Sequence, residues 1–594
     1  MSDLDLGLVG NCCIAALIDR NARIVWSCFP RFDSDPLFHT LLGGPSDDNA
    51  DGAFSIELTG LSASRHEYLH NTAVLRTVLE SPSGSIEVID FAPRFHWRGR
   101  PFRPQTLVRR IRPVSGSPRI RLRIRPRFGY GAAAARIESG SNHIRYSGAE
   151  ISVRLTTDAP IDYVCTETEF ILAEEVNCIV GPDETLSQGI VETARDFQER
   201  TEDYWRGWSH RLALPLDWQD AVIRAAITLK LCSYEPTGAV VAAITTSIPE
   251  AADSGRTWDY RLCWVRDAFF VMRALNSLAA VRTMENYFRW IMNIVARSKG
   301  GHIQPVYGIG LEADLCERIA PALPGYRGMG PVRIGNQAHE HLQHDTYGNL
   351  ILGAAQAFFD QRLFIRVGRE HFEQFEAVGE QAVRLHDKPD AGIWELRTRA
   401  RVHTSSSLMC WAACDRLAKI AAHLGLAHRA RYWRAHADTI RQVVLTRGWS
   451  EKRRAFVESF EGEHLDASVL LMCEVGIVDP RDERFVSTVA QLESALARGP
   501  YMMRYEAADD YGVPTSAFNL CAFWRLDALA RIGQRDRARE IFEALLARRN
   551  PLGLMSEDSD PATGEAWGNF PQTYSMVGII NGAMRLSKPW DSVV

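Results

Sequence analysis

Two glutamates sit in settings that chemistry could use: Glu395, directly after Trp394, and Glu557, in the run Ser556-Glu557-Asp558. An indole beside a carboxyl keeps water away and raises its pKa, which suits a general acid near neutral pH. Asp558 and Asp560 give Glu557 a polar loop; such a setting keeps a carboxylate ionised, which suits a general base. The plain reading of both is a surface or turn carboxylate, the usual place of glutamate. Arg266-Asp267 sets a guanidinium next to a carboxylate, a pair able to donate to and accept from neighbouring hydroxyls of one ligand. Asp267 would also be favourable simply as a charge at a helix start. Tyr260, Trp264, Trp394 and Tyr574 offer apolar faces with a polar handle, and each would serve a core equally well.

Other constellations are weaker. His339, His341, His344 and Asp345 lie close in sequence, but their spacing matches no zinc pattern, and no metal is expected there. Cys410 and Cys414 lack a second cysteine pair. Gly328-Met329-Gly330, Gly308 and Gly310 have no strand-to-helix context of the kind that cradles phosphate, so no nucleotide cofactor is expected.

The elements that must position these residues change period along the chain. Up to about residue 190 the alternation is two, as in Ile120-Arg121-Leu122-Arg123-Ile124-Arg125 and Ile151-Ser152-Val153-Arg154-Leu155. Turns such as Pro82-Ser83-Gly84 and Ser115-Gly116-Ser117-Pro118 separate the runs. Short strands at this spacing predict an antiparallel sandwich, with the arginines on a solvated face rather than in an anion site. Residues 191–210, with Phe197, Tyr204, Trp205 and Trp208 among charges, predict an amphipathic connecting helix. Beyond it the period is 3.6, with helical stretches near 217–233, 266–278, 281–297, 346–360, 366–386, 404–424, 427–446, 464–476, 482–497, 514–532, 536–548 and 572–586. Twelve helices fit six hairpins closed into a double ring, an (α/α)6 barrel. Trp264–Asp267, His344–Gly348, Trp394-Glu395, Arg504-Tyr505 and Ser556–Asp558 all stand before even-numbered stretches. If those stretches form the inner ring, the loops crowd one mouth and line a cleft with acids, arginines and aromatics.

At these residues the chain resembles glycoside hydrolase family 15, which includes glucoamylases, glucodextranases and trehalases. Gly10-Asn11, Ala15–Arg20 and Pro30–Ser34 look like the opening of its bacterial members. Thr257-Trp258-Asp259-Tyr260-Arg261 running into Trp264–Asp267 resembles its sugar-clamp motif, and Gly392-Ile393-Trp394-Glu395 its acid motif. Gly553–Glu557 with Gly568-Asn569-Phe570-Pro571-Gln572 resembles its base motif. The resemblance implies a β-supersandwich (1–190), a helical linker (191–214) and an (α/α)6 catalytic barrel (215–594). It implies an inverting mechanism without metal, with Glu395 as acid and Glu557 as base, and Asp558 the lesser candidate. Two such carboxyls stand roughly 6.5–9.5 Å apart to admit a water. Arg266, Asp267 and Arg504 would then hold the terminal glucose, in a pocket lined by Tyr260, Trp264, Trp394 and Tyr574.

The resemblance points first to release of β-glucose from short α-glucans or isomalto-type sugars, with trehalose as the alternative substrate. Leu396 stands where starch-cutting fungal members carry a second acid, and Val513–Phe518 departs from the glycine- and glutamate-rich stretch of bacterial relatives. Both differences bear on substrate and leave the reaction type alone. A disaccharide phosphorylase, which needs no protein base, is disfavoured by Glu557, and a silent sugar sensor by the presence of both carboxylates. A net charge of -5 without a basic run argues against nucleic acid as a partner. The acidic start Met1–Asp5 and the lack of a long apolar run argue against a secretory signal and a membrane span. Twelve scattered cysteines are then expected as buried free thiols in a cytoplasmic protein.

Overall fold

A computed structural model of the chain describes residues 3–44, 51–298 and 300–593. Two antiparallel sheets form the first part. One orders the strands Leu6–Gly10, Ala15–Asp19, Ile24–Cys28, Ala53–Leu58, Arg119–Arg125 and Phe170–Ile171, with Pro36–Phe38 also on Ile24–Cys28. The other orders Arg136–Ser139, His143–Ser147, Ser152–Thr157, Val176–Pro182, Leu107–Gly116, Gly84–Phe91, Leu75–Ser81 and Ala63–Tyr68. Their inner faces share one apolar core, in which Ile120, Leu122 and Phe54 of the first sheet meet Ile86, Val88 and Leu155 of the second.

The alternating arginines lie opposite the apolar core and have carboxylate partners, but Arg123 and Arg154 are buried by those partners rather than solvated. Arg123 reaches Glu57 at 2.8 Å and Glu167 at 3.0 Å, and Arg125 reaches Glu167 at 2.6 Å. Such pairs contribute at most about 1 kcal/mol each. Their charge is met by these carboxylates.

A short helix unforeseen from the sequence, α1 (Ile161–Cys165), caps the sandwich, and the connecting helix follows as α2 (Ile190–Ser209). Ala194 and Phe197 pack on the outer face of the larger sheet, while Trp205 enters the core of the helical part. One amphipathic helix therefore spans both units.

Twelve further helices follow: α3 (Gln219–Leu231), α4 (Val265–Ser277), α5 (Val281–Ser298), α6 (Asp345–Ala355), α7 (Arg369–Leu385), α8 (Thr404–His423), α9 (Ala427–Arg447), α10 (Leu471–Val475), α11 (Glu483–Leu496), α12 (Asn519–Arg531), α13 (Arg535–Leu546) and α14 (Thr573–Leu586). The ring closes: α4, α6, α8, α10, α12 and α14 each pack on the next, and α14 returns to α4. The inner helices are buried on nearly every side, as α8 and α12 show, whereas outer α7 buries only a stripe of Phe372, Phe375, Val378, Gly379 and Ala382. Small residues permit the inner contacts. A Cβ on Gly348 of α6 would lie 2.1 Å from the Met409 carbonyl oxygen of α8.

Two expected helices are shorter. The 464–476 stretch yields only α10 after a 3-10 turn over Ala467–Leu470, whose start is capped by the Asp466 side chain. The 514–532 stretch starts late because Ala517–Phe518 pairs as a strand with Asp558–Ser559. All twelve cysteines are free, with only Cys165 and Cys316 exposed. Among the described residues no helix is long and apolar enough to cross a membrane.

Candidate active site

The loops preceding the inner helices converge on one pocket, and all nine side chains singled out from the sequence line it. The Glu395 half begins where the bridge of Cys263-Trp264 with Val306-Tyr307 runs into α4. The Trp264 indole N–H donates to Glu395 Oε1 at 2.7 Å. Arg266 holds the same loop twice, through the Ile393 carbonyl at 2.9 Å and Glu395 Oε1 at 3.4 Å, and donates to Asp267 at 3.1 Å. Burial lifts the Asp267 carboxyl to about 6 against the pull of Arg266. Glu395 itself has φ +61°, a left-handed conformation costly for a residue with a Cβ and tolerated where the surroundings fix it.

That turn corrects one expectation. Trp394 lines the pocket, and its indole donates to Asp466 at 2.7 Å rather than to Glu395. The ring whose N–H bonds Glu395 is Trp264.

The Glu557 half is built on the small sheet of Ala517–Phe518, Asp558–Ser559 and Ala566–Trp567. Glu557 N–H donates to the Asn569 carbonyl at 3.2 Å, and the Tyr260 hydroxyl donates to Glu557 Oε1 at 2.7 Å. Gly568 must be glycine: its φ is +73°, and a Cβ would lie 2.8 Å from Glu557 Oε2. A second correction follows. The setting of Glu557 is not a solvated polar loop; its side chain is 2% exposed. Burial, then the neighbouring Asp558 and Glu250, push its carboxyl well above the ordinary range, opposed by Arg504. Asp558 is lifted by burial to about 7. Arg504 bonds Glu250 at 2.9 Å and Asp558 at 3.1 Å and stands 3.5 Å from Glu557 Oε1. These three acids are, among the described residues, the group close enough to bracket a metal ion, and the Arg504 guanidinium is the cation that stands among them. Glu557 Oε2 is buried and has no protein partner.

The two halves meet through aromatic rings. Tyr260, bonded to Glu557, and Trp264, bonded to Glu395, touch edge to face with centroids 5.3 Å apart. Tyr574 lines the same pocket against Phe270 and Trp524, buried, with its hydroxyl unpartnered. The two glutamates therefore sit in different environments, Glu557 the more buried and with its carboxyl raised, Glu395 the less buried, the reverse of what their sequence neighbours suggested.

Several lining residues escaped the sequence reading. Glu250 accepts from the Trp258 indole at 2.9 Å. Arg256 forms a two-pronged pair with Asp509, both contacts 2.6 Å. Asp510 accepts from the Arg397 backbone N–H at 2.6 Å, and Arg397 covers the Trp258 ring at 4.6 Å. Three loops are thus clasped over the mouth. Trp258 stood in a quoted motif and Asp510 lies shortly after Arg504, but no local period marks either.

Known proteins give the same picture. The family pattern described as Glycosyl hydrolases family 15 matches residues 217–584, and one described as Trehalase-like, N-terminal matches 5–181. The chain is 30% identical to a trehalase of Mycolicibacterium smegmatis over 98% of its length and 91% of that protein. It is 31% identical to a trehalase of Mycobacterium tuberculosis, covering 96% and 87%, and 30% identical to one of Thermoplasma volcanium, covering 98% and 93%. In fold it is similar to a bacterial glucoamylase solved with acarbose, at a TM-score of 0.70 and 12% identity over 98% of this chain and 93% of that one. With a matched helical part, a matched N-terminal part and a shared overall fold, this chain is a glycoside hydrolase and belongs to family 15.

Proposed function

We propose that the chain is a trehalase that hydrolyses the bond between the two glucosyl units with inversion. In this reading Glu395 gives its proton to the bridging oxygen while Glu557 takes a proton from a water, and that water attacks the anomeric carbon from the opposite face. One glucose leaves in the α form, and the attacked one emerges as β. The observation that carries the reading is the pairing in one pocket of two carboxylates with different partners, Glu395 on Trp264 and Glu557 on Tyr260, within a chain similar over nearly its whole length to proteins named trehalase. Those relatives reverse the order of substrates drawn from the sequence, which put short α-glucans first. The mouth suits a disaccharide: Arg397 covers the Trp258 ring and the Arg256–Asp509 pair also lines the pocket, charged partners for a second hydroxyl-rich ring beyond Arg266 and Asp267. Twelve free cysteines support a reducing, cytoplasmic setting.

A panel of trehalose, maltose, isomaltose, panose and dextrin, with anomers followed by NMR, tests this. Trehalose is expected to be turned over at least about tenfold faster than the others, giving α- and β-glucose in equal early amounts. Early α-glucose alone would refute inversion, and faster turnover of maltose would refute the substrate.

The charge cluster adds a dependence on pH. Glu557 must be ionised to act as a base, and its carboxyl is raised by burial and by its acidic neighbours, so activity falls as pH drops through that raised value. Glu250→Gln removes one of the two neighbouring carboxylates, which lowers the Glu557 pKa and moves the acid limb of kcat/KM to lower pH. An acid limb that stays in place in this variant would assign that limb to a different group.

A further inference from the structure

Apart from the pocket, with which it shares no lining residue, a groove runs between the second half of α2, the hairpin of Phe95–Trp97 with Arg100–Phe102, and the first turn of α5. Its charges do not balance. Lys230 and Arg94 at its floor are both buried, and both bond Glu235, Lys230 at 2.9 Å. Arg103 also approaches Glu235, at 3.4 Å. One carboxylate thus faces three cations. Toward the rim stand Arg211 and Arg282, both exposed, and no carboxylate of the described residues bonds either. Asp203 is the other acid of the lining, and Arg200 is taken by Asp196 at 2.8 Å. His96 reports the resulting field: burial and then Arg282, Arg94 and Arg211 hold its imidazole below the usual range.

The groove also has flat apolar walls. The Arg94 guanidinium lies 4.6 Å over the Tyr204 ring, and the Lys230 ammonium lies 5.4 Å from the Trp208 ring. Both rings are half-buried and line the groove. Unmatched guanidinium groups are forked donors suited to phosphate oxygens, and aromatic faces suit the apolar face of a sugar ring.

We propose that this groove is a second ligand site, taking a small molecule that carries a phosphate group, with the phosphate on Arg211 and Arg282 and any attached ring against Trp208 and Tyr204. The site is independent of the reaction proposed for the main pocket. It touches both units of the chain, through Phe95 of the sandwich and Thr283 of the barrel.

Calorimetric titration of the full-length protein at constant ionic strength, with inorganic phosphate, glucose 6-phosphate and glucose as probes, decides the matter. Phosphate and glucose 6-phosphate are expected to bind at about millimolar or better, and glucose not to bind in the groove. Arg211→Ala/Arg282→Ala should weaken phosphate binding by at least about tenfold while trehalose turnover and melting temperature stay unchanged. Tighter binding of glucose 6-phosphate than of phosphate, lost in Trp208→Ala, would identify a sugar phosphate as the occupant, and equal binding would identify free phosphate. Equal affinity in the wild type and the double arginine variant, or no binding by about 10 mM, would overturn the proposal.

Discussion

Glu557→Gln should lower kcat on trehalose by about 10²- to 10⁴-fold, the range that removal of a general base costs, with KM and melting temperature nearly unchanged. An amide cannot take a proton from water, but it has the shape of the carboxylate and still accepts from the Tyr260 hydroxyl, which now meets Oε1 at 2.7 Å. Folding should not suffer, because the exchange removes a buried negative charge from beside Asp558 and Glu250. Glu557 is also the acid of this cluster with an oxygen to spare: Oε2 has no protein partner, whereas Asp558 is committed to Arg504 at 3.1 Å and Ser516 at 3.1 Å. Steady-state kinetics beside a thermal melt provide the check. Turnover within about tenfold of wild type would pass the role to another group.

Glu395→Gln should be as damaging on trehalose, by about 10²- to 10⁴-fold, but the loss should depend on the leaving group. A glucose alkoxide departs only with a proton, whereas fluoride needs none. Turnover of α-glucosyl fluoride by Glu395→Gln is therefore expected within about tenfold of wild type, while Glu557→Gln fails on both substrates. Measured side by side, the two compounds separate the acid from the base. Equal loss of both substrates in Glu395→Gln would show that this side chain does more than deliver a proton. The glutamine keeps its place, because the Trp264 indole and Arg266 donate to an amide oxygen as they do to Oε1.

The helices were largely legible because each repeats a local pattern, so that the 266–278 stretch emerges as Val265–Ser277. The failures lie where distant segments intervene. Asp466 caps the turn before α10 and also accepts from Trp394, and Ala517–Phe518 is captured by a strand forty residues on. In the pocket, adjacent pairs such as Arg266-Asp267 announced themselves. Glu250, Arg256 and Asp509 did not, since what each does is defined by a partner more than a hundred residues away or by burial. The same holds for the environments of Glu395 and Glu557. Sequence neighbours suggested a dry acid and a wet base, but the nearest side chains come from other loops.

Arg261 lies one position from Tyr260. It bonds Asp259 at 2.7 Å and reaches into the sandwich, donating to the Ser34 carbonyl at 2.8 Å and the Tyr130 hydroxyl at 2.9 Å. Trp26 of the sandwich in turn donates to the Ile244 carbonyl at 2.9 Å. The sandwich thus serves as the footing for the phenol that bonds Glu557. Neither part is a free-standing module: exchanging the first for that of a cousin enzyme would be felt at the pocket, one residue from the seam.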